Sequence, residues 1–399
     1  MSWALSTKMD ERVKFISDHL LGEWSLSALC ARYGISRPTG YKWIDRYRQE
    51  GVGGLVERSS APHVHGRKTA DTIAEAICAL KHKYPSWGPK KLVAWLGDHH
   101  PEIDWPAAST AGEVLKRAGL VAPRKRKRHV PPRLGELTQP LYPNHVWAAD
   151  HKGWITTPYG ARLEPLTVTD GFCRYLIILS ATGSTAAAVA QPQFMRAFAE
   201  HGLPDVIRTD NGSPFASSAV TGLTRLSAEW TRFGIRHERI DPGVPQQNGC
   251  HERFHLTLKE AMRPAEASQD AQQRRFDRFR HDYNSERPHE ALGQKPPASL
   301  YVNSPRPLPS RIPEPVYPAE AAVRKVRSNG EIKWKGDLIY IADILAGDAI
   351  AVSETEQGQW QVNFYDRPIG LIDPKTKTLK PIKPKPKPQP EKEENMAGL

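Results

Sequence analysis

Three carboxylates in this chain stand where strands are predicted to end or a helix to begin. Asp210 follows a short apolar run and is followed at once by an Asn-Gly turn, which places it at the end of a strand. Asp150 lies in the strand-like run 146–154, and Glu252 follows the turn Asn248-Gly249 at the start of a helix. Carboxylates in such positions can converge on divalent cations that promote displacement at phosphorus. The pattern therefore predicts a metal-dependent phosphoryl-transfer site.

The helix that begins near Gly249 is predicted to have two faces. Phe254, Leu258 and Ala261 follow helical spacing and are expected to face a core. The opposite stripe is expected to hold Glu252, His255, Leu256 and Lys259. Lys259 could hold a terminal phosphate or base of DNA, and the alternative is an ordinary solvated lysine. His255 and Lys152 are expected to be structural.

The acids lie in sequence contexts that resemble a known family. These contexts are Trp-x-x-Asp-x-Lys-Gly at 147–153, Asp-Asn-Gly at 210–212, Asn-Gly-x-x-Glu-Arg-Phe-His at 248–255, and Tyr-Asn-x-x-Arg-Pro-His-x-x-Leu-Gly at 283–293. In this order, they resemble the Asp/Asp/Glu catalytic core of bacterial insertion-sequence transposases and retroviral integrases. The resemblance covers about residues 140 to 301.

The resemblance implies a fold, a reaction and a cofactor. The expected core is RNase H-like, with double-stranded DNA as the substrate. Asp150 would bridge two Mg²⁺ ions, with Asp210 on one and Glu252 on the other, and Mn²⁺ could substitute. The implied reaction cleaves the 3′ ends of a mobile element and joins them to target DNA.

The identity of the third acid has alternatives. Between Asp210 and Glu252 lie 41 residues, more than is usual in the family, and the excess is expected around 217–227. Glu238 and Glu260 are the rivals, although Glu238 sits in a predicted strand without a preceding turn and Glu260 lies on another helical face. Asp170, also at a strand end, is expected to cap a turn rather than bind metal.

Residues 9–50 are predicted to form three helices with a helix-turn-helix arrangement. Ser36 is a predicted N-cap, with Pro38 in the first turn of the last helix. On that helix Tyr41, Ile44 and Tyr47 are expected to point inward. The residues expected to face a DNA major groove are Arg37, Thr39, Lys42, Trp43 and Arg46. An ordinary three-helix bundle is the alternative.

A second helical unit, 69–122, carries Lys90 and Lys91 at the start of a predicted helix. It is expected either to contact DNA or to serve as a packing platform. The basic run that follows is predicted to track DNA phosphates, and the alternative is a solvated linker. This run consists of Arg124, Lys125, Arg126, Lys127 and Arg128.

The fold class predicted from these patterns is multidomain: all-α N-terminal units, an α/β core and a small all-β C-terminal barrel. The predicted bounds are 1–60, 69–122, a basic linker at 123–139, the core at 140–301, a Pro-rich linker at 302–320, the barrel at 321–373 and a disordered tail at 374–399. In the core, strands are predicted at 163–170, 172–180, 205–209 and 235–240, with helices at 185–201 and 217–233.

Composition limits the partners and the compartment. Lysine and arginine number 56 against 44 aspartates and glutamates, so the net charge is +12 and the pI is near 9.5. This balance favours a polyanionic partner. The four cysteines form no C-x-x-C pair, and no signal peptide or membrane span is predicted, as expected for a cytoplasmic, nucleoid-associated protein.

A transposase must bring two DNA ends together, so a homo-oligomer on DNA is expected. An accessory ATPase, which some related transposases use, is a further candidate partner. Two other functions remain open from the sequence: a catalytically inactive DNA-binding regulator, and a nuclease of RNase H type that cuts without joining.

Overall fold

The computed structural model describes residues 7–58, 69–121 and 137–382. The chain divides into two compact units, residues 1–70 and 71–399, and each is described by itself. The basic run Arg124–Arg128 and most of the predicted C-terminal tail lie outside the described residues.

The first unit consists of three helices, as predicted. They are α1 (Lys8–Leu21), α2 (Leu26–Arg32) and α3 (Arg37–Glu50). Ser36 caps α3 by accepting a hydrogen bond from the Thr39 amide, which satisfies one of the unpaired donors at the helix start. Phe15, Leu29 and Ile44 are buried at the centre.

The inward face of α3 differs from the prediction. Trp43 is only 7% exposed, with the Arg12 guanidinium stacked 3.9 Å from its ring centre, whereas Tyr41 is 57% exposed. The buried positions 40, 43 and 44 follow helical spacing, and residue 41 falls outside that stripe. Trp43 is therefore a core residue of this unit, and the prediction that it lies on the exposed face of α3 is wrong.

The second unit begins with α4 (Asp71–Lys83), α5 (Pro89–His99) and α6 (Ala108–Arg117). These helices share a small core around Ile77, Leu92 and Leu115. The prediction of a second helical unit in this stretch is confirmed for the described residues.

A mixed sheet follows, with helices on both faces. Its strands are β1 (Val146–His151), β2 (Ile155–Thr156), β3 (Arg162–Asp170), β4 (Leu176–Thr182), β5 (Val206–Thr209) and β6 (Arg236–Arg239). β1, β3 and β4 pair antiparallel, and β5 and β6 add in parallel beside β1. This is the predicted RNase H-like arrangement.

Four helices pack against the two faces of this sheet. They are α7 (Ala187–His201), α8 (Arg225–Arg232), α9 (Gly249–Ala261) and α10 (Gln269–His281). One face of the sheet buries Trp147 and Ala149 against Phe194 and Trp230 of α7 and α8. The other face packs against α9 and α10 through Phe254 and Phe276, among others. The catalytic candidates lie on this second face or at its edge.

Two element bounds differ from the prediction. α8 begins at Arg225, not near 217, because the Thr224 and Ser227 side chains form a capping box that fixes the helix start. The preceding stretch, 211–224, is irregular. β4 begins at Leu176, four residues later than predicted, because 171–175 forms the turn from β3.

The C-terminal part is all-β, as predicted. Its strands are β7 (Ala322–Lys325), β8 (Glu331–Trp334), β9 (Asp337–Tyr340), β10 (Ala349–Glu354), β11 (Trp360–Phe364), β12 (Arg367–Asp373) and β13 (Thr378–Lys380). Five of them form an antiparallel sheet, β8 and β9 form a hairpin, and both contribute to one core. β13 corrects the predicted tail: because Leu379 is buried against the sheet, the fold continues past residue 374.

The Pro-rich linker is held down at its two ends. Arg306 donates hydrogen bonds to the carbonyls of Pro204, Phe233 and Gly234 and pairs with Asp205 at 2.9 Å. Further along, the Tyr317 hydroxyl donates to the Ala349 carbonyl of β10. The linker is thus partly built into the core and partly into the β unit.

Candidate active site

Asp150 and Asp210 stand side by side at one edge of the core sheet. β1 and β5 run parallel, with Ala149 opposite Thr209, so the next residue on each is a carboxylate. Neighbouring strands lie about 4.8 Å apart. Glu252 comes from the first turn of α9, which packs over the same face.

The pKa of Asp150 reflects its burial and the charges of the other two acids. The pKa of Asp150 is raised to about 7, mainly by burial and in addition by the negative charges of Asp210 and Glu252. The Asp150 side chain is 25% exposed, and Glu252 lies at the surface. Crowded like charges of this kind favour a bound cation.

A buried hydrogen-bond network supports Asp150 from behind. The Thr167 hydroxyl on β3 donates to the Asp150 carbonyl at 2.9 Å. It also lies 2.8 Å from Nε2 of His251 and 2.8 Å from Nε2 of His255. The Thr169 hydroxyl lies 2.8 Å from Nδ1 of His251. Two strands and one helix are therefore joined at the base of the site.

The number of available protons determines which groups donate and which groups accept the hydrogen bonds of this network. Thr167 has one proton, which goes to the carbonyl, so both imidazoles must donate to it through Nε2. His251 then accepts from Thr169 through Nδ1, and both of its ring nitrogens are used. Asp150, His251 and His255 offer ligand atoms within 4.8 Å of one another, but only His255 keeps a free nitrogen, Nδ1. That atom lies 3.7 Å from the Asp150 carboxylate.

These histidines correct the prediction for α9. His255 was expected on the exposed stripe with Glu252, but it is buried, and His251, which carried no predicted role, is buried too. Residues 251, 254, 255 and 258 form one helical stripe. That spacing is visible in the sequence, but a buried polar partner such as Thr167 is not. The structural role predicted for His255 agrees with its place in this network.

The rival acids have other partners. Glu238 pairs with Arg208 at 2.8 Å and accepts two hydrogen bonds from Thr138. Asp170 is fully buried and accepts hydrogen bonds from three backbone amides, which confirms its turn-capping role. Glu260 is exposed on α9 and does not contribute to the raised pKa of Asp150.

The predicted DNA contacts fall into two groups. Arg37, Lys42 and Lys259 are exposed, and Arg46 is half-buried against Trp43. By contrast, Lys90 pairs with Glu290 at 2.8 Å. Lys91 donates to the Pro288 carbonyl, and burial lowers its pKa to about 8. The start of α5 is thus bound to the core, which favours the packing role considered for this helical unit.

Comparison with known families agrees with the geometry. Two models described as integrase core domain match residues 140–245 and 233–297. A helix-turn-helix domain matches residues 11–63, and a homeodomain-like domain matches 39–115. The chain is a relative of the bacterial insertion-sequence transposases with an integrase-type core.

Three curated proteins illustrate the relationship. An uncharacterized 39.2 kDa protein of insertion element IS476 from Xanthomonas euvesicatoria is 31% identical over 45% of this chain and 50% of its own length. An uncharacterized 31.7 kDa protein of IS407 from Burkholderia multivorans is 29% identical over 58% and 80%. The transposase of transposon Tn552 from Staphylococcus aureus is 22% identical over 63% and 55%. This transposase relative thus spans about half the length of the IS476 protein.

Among solved structures, a simian T-cell lymphotropic virus intasome in complex with a PP2A regulatory subunit contains a similar chain. That chain is 19% identical, with a TM-score of 0.37, over 73% of this transposase relative and 95% of its own length. Within the described residues, no helix is long and apolar enough to cross a membrane.

Proposed function

We propose that this chain is a DNA transposase that cleaves the 3′ ends of its mobile element and joins them to target DNA. The observation that supports the proposal is that Asp150 and Asp210 lie at the ends of the neighbouring parallel strands β1 and β5, with Glu252 in the first turn of α9. The chain's relationship to insertion-sequence transposases supports the same reaction class, polynucleotidyl transfer. The helix-turn-helix unit supplies a means of reading the element's ends.

The donor set fits magnesium. Carboxylate oxygens are hard ligands that suit Mg²⁺ and, less selectively, Mn²⁺. The pKa of Asp150 is raised mainly by burial and in part by the charges of Asp210 and Glu252, and a bound cation would offset that repulsion. Asp150 would be the shared ligand of two ions, with Asp210 and Glu252 completing one site each.

The protein's own groups position the reactants. When bound, a pair of such ions activates the attacking oxygen and stabilises the leaving oxygen at phosphorus. The network beneath β1 holds the backbone of Asp150 through its carbonyl. Lys259, seven residues after Glu252 on the same helix and also exposed, is the residue that we propose to hold a DNA phosphate. No general base from the chain is needed in this arrangement.

The test is a joining assay with purified full-length protein, Mg²⁺, a labelled duplex carrying the element's terminal repeat, and plasmid target. Asp210→Asn and Glu252→Gln are each expected to reduce the rates of cleavage and joining by at least about 100-fold, because each removes a proposed metal ligand. Binding of the labelled duplex should persist in both variants. Glu260→Gln is the matched control, since it removes an exposed acid from the same helix.

The outcomes separate the alternatives. Activity that survives Glu252→Gln but not Glu260→Gln would transfer the third ligand to Glu260. Cutting without joining would favour a nuclease of RNase H type. Specific binding with neither reaction, in Mg²⁺ and in Mn²⁺, would favour the inactive regulator. A homo-oligomer on DNA and an accessory ATPase stay predictions; mass photometry of the protein–DNA complex tests the first.

A further inference from the structure

His255 presents a ring nitrogen to the carboxylate of Asp150. Nδ1 of His255 lies 3.7 Å from Oδ2 of Asp150, and the His255 side chain is buried. The other ring nitrogen, Nε2, lies 2.8 Å from the Thr167 hydroxyl. Thr167 gives its own proton to the Asp150 carbonyl, so Nε2 of His255 is the donor in that contact. In the neutral ring, Nδ1 is therefore an acceptor that faces another acceptor.

A hydrogen bond does not account for this pair of atoms. Their distance of 3.7 Å exceeds the range of a nitrogen–oxygen hydrogen bond, which is about 2.7–3.2 Å. Two atoms that each bind one ion at about 2.1 Å are about 3.0 Å apart at a right angle and about 3.4 Å apart at the tetrahedral angle. A side-chain shift of about 0.3–0.7 Å would bring the two atoms to these separations. A shared cation would also remove the repulsion between their lone pairs.

The spacing of residues on α9 gives a second indication. Glu252 and His255 form a Glu-x-x-His pair, and residues three apart are neighbours on a helix surface. With this spacing, helices of the di-iron carboxylate proteins supply two ligands to a metal centre. The negative charge of Glu252 also acts on Asp150. One helix thus offers a nitrogen and a carboxylate to an ion bound at Asp150.

The hydrogen bond to Thr167 gives His255 the support that metal-binding histidines have. A histidine that binds a metal through one nitrogen almost always donates its other N–H to an oxygen, which fixes the tautomer and the ring orientation. Nε2 of His255 donates in this way to Thr167. His251 differs, because its two ring nitrogens already contact Thr167 and Thr169 at 2.8 Å. His255 is therefore the ligand that these hydrogen bonds leave available.

The surrounding charges and the mixed donor set define the ion. The charges that act on Asp150 include those of Asp210, Glu252 and Lys152, so three carboxylates face one ammonium group. This balance favours a cation. Carboxylates alone suit Mg²⁺, whereas an imidazole nitrogen suits first-row transition metals. The pair formed by Asp150 and His255 therefore fits a divalent transition metal better than Mg²⁺.

We infer that Nδ1 of His255 and the Asp150 carboxylate bind one divalent transition-metal ion, with Glu252 as the third ligand. The inference rests on the proposed function only in taking Asp150 and Glu252 as metal ligands. It makes the two ion positions unequal, because the position shared by Asp150 and Asp210 keeps oxygen ligands and suits Mg²⁺. The alternative is a doubly protonated His255 ring that forms an ion pair with Asp150.

The first measurement is electron spin echo envelope modulation of Mn²⁺ bound to the untagged full chain, without DNA and with less than one ion per chain. A coordinated imidazole gives a nitrogen coupling that carboxylates and water do not give. The wild type should show this coupling. His255→Gln should lose it, because the amide keeps an N–H donor for Thr167 but has no counterpart of Nδ1. The matched control is His251→Gln, the same change one turn earlier on α9, which should keep the coupling.

The wild-type spectrum is decisive even if a variant does not fold. Mn²⁺ bound without a nitrogen coupling would overturn the inference and leave the ion pair between His255 and Asp150. A coupling that persists in His255→Gln would assign the nitrogen to another histidine and would also overturn the inference.

The second measurement is the Kd of the same proteins for two ions. The electron paramagnetic resonance signal of free Mn²⁺ gives the Kd for Mn²⁺, and competition gives the Kd for Mg²⁺. His255→Gln should raise the Kd for Mn²⁺ by at least about 10-fold and the Kd for Mg²⁺ less, because Mg²⁺ prefers oxygen. A purely structural role of the ring would weaken both ions equally. That outcome, or unchanged binding of Mn²⁺, would overturn the inference.

Neither measurement requires cleavage or joining of DNA. A chain that joins DNA but shows no nitrogen coupling would overturn this inference alone. A chain that shows the coupling but fails in the joining assay would leave this inference standing and overturn the proposed function.

Discussion

Thr167 is the residue on which the base of the site depends. Its single hydroxyl gives one hydrogen bond to Asp150 and takes two from His251 and His255. All three acceptor and donor positions of the hydroxyl are used, so the residue sets both imidazole tautomers. This in turn leaves Nδ1 of His255 facing the Asp150 carboxylate.

Replacing Thr167 with valine keeps the shape and removes the hydroxyl. We expect Thr167→Val to lower the free energy of unfolding by about 1–3 kcal/mol, because two buried imidazole N–H groups lose their acceptor. Urea unfolding monitored by tryptophan fluorescence measures this. Thr167→Ser, which keeps the hydroxyl, should lose less. Equal stability of the valine and wild-type proteins would mean that the histidines find other acceptors.

Four histidines that are buried or largely buried predict sensitivity to acid. Burial is the main cause that lowers the pKa of His237, His251 and His289 to about 3 and of His255 to about 2, from an ordinary value of 6.5. Below pH 6.5 the unfolded chain binds protons that the folded chain does not. Stability is therefore fully present above pH 6.5 and is lost as the pH falls towards 3.

The measurement is guanidinium unfolding between pH 8 and pH 5. Each such histidine contributes at most about 1.4 kcal/mol per pH unit to the decline. His251→Gln should make the decline shallower by one proton, whereas His99→Gln, at an exposed site, should not. A flat profile down to pH 5 would contradict the assignment of neutral buried rings.

At the scale of elements, apolar periodicity predicts most of the architecture. It gives the three helices of the first unit, an α/β core and the acids at strand ends, because these depend on nearby residues, whereas the RNase H-like arrangement is implied by the family resemblance. It does not give the inward polar face of α9, since Thr167 and His251 are 84 residues apart in sequence. Nor does it give the partner of Arg232, which comes from beyond the linker.

The contact between α2 and α3 rests on a glycine. A Cβ at Gly40 would lie 2.6 Å from Sγ of Cys30, closer than real Cβ contacts. Gly40→Ala is therefore expected to destabilise the first unit by about 1–3 kcal/mol through overpacking. Amide hydrogen exchange of α2 and α3 in the full chain should show faster opening.

The compensating change supplies the control for this prediction. Gly40→Ala combined with Cys30→Ala should recover part of the lost protection, because the clashing sulfur is removed and residues in contact couple. Unaltered exchange in Gly40→Ala alone would mean that the two helices can separate at little cost.

In the second unit, one ion pair among the described residues joins the C-terminal β domain to the integrase core. Arg232 at the end of α8 lies 2.7 Å from Asp348 and also donates to the Ile344 carbonyl. Both side chains of the pair are about one-fifth exposed. Leu223 and Ala228 of the core extend this contact into the apolar interior of the β domain.

Asp348→Ala is expected to weaken the association of the β domain with the core by about 1–3 kcal/mol, because the largely buried guanidinium of Arg232 loses its charged partner. Small-angle scattering should show a larger radius of gyration, and protease should cut between Pro309 and Ile312 faster. The control is Asp337→Ala, which removes an exposed β-domain carboxylate paired with Lys377. If neither quantity changes in Asp348→Ala, apolar packing alone holds the domains together.

The anchoring of the linker sets how far the β domain can travel. Arg306 ties the chain to the core, and the Pro313 carbonyl already accepts a hydrogen bond from Tyr365 of the β domain. Only the four residues from Pro309 to Ile312 separate these attachments after Leu308, which packs on the core. At about 3.1 Å per residue, they reach roughly 12 Å. A β domain that dissociates from its own core could therefore move only a short distance from it. Exchange of the β domain with a neighbouring subunit would first require the linker to lose its contacts at Arg306 or at Pro313.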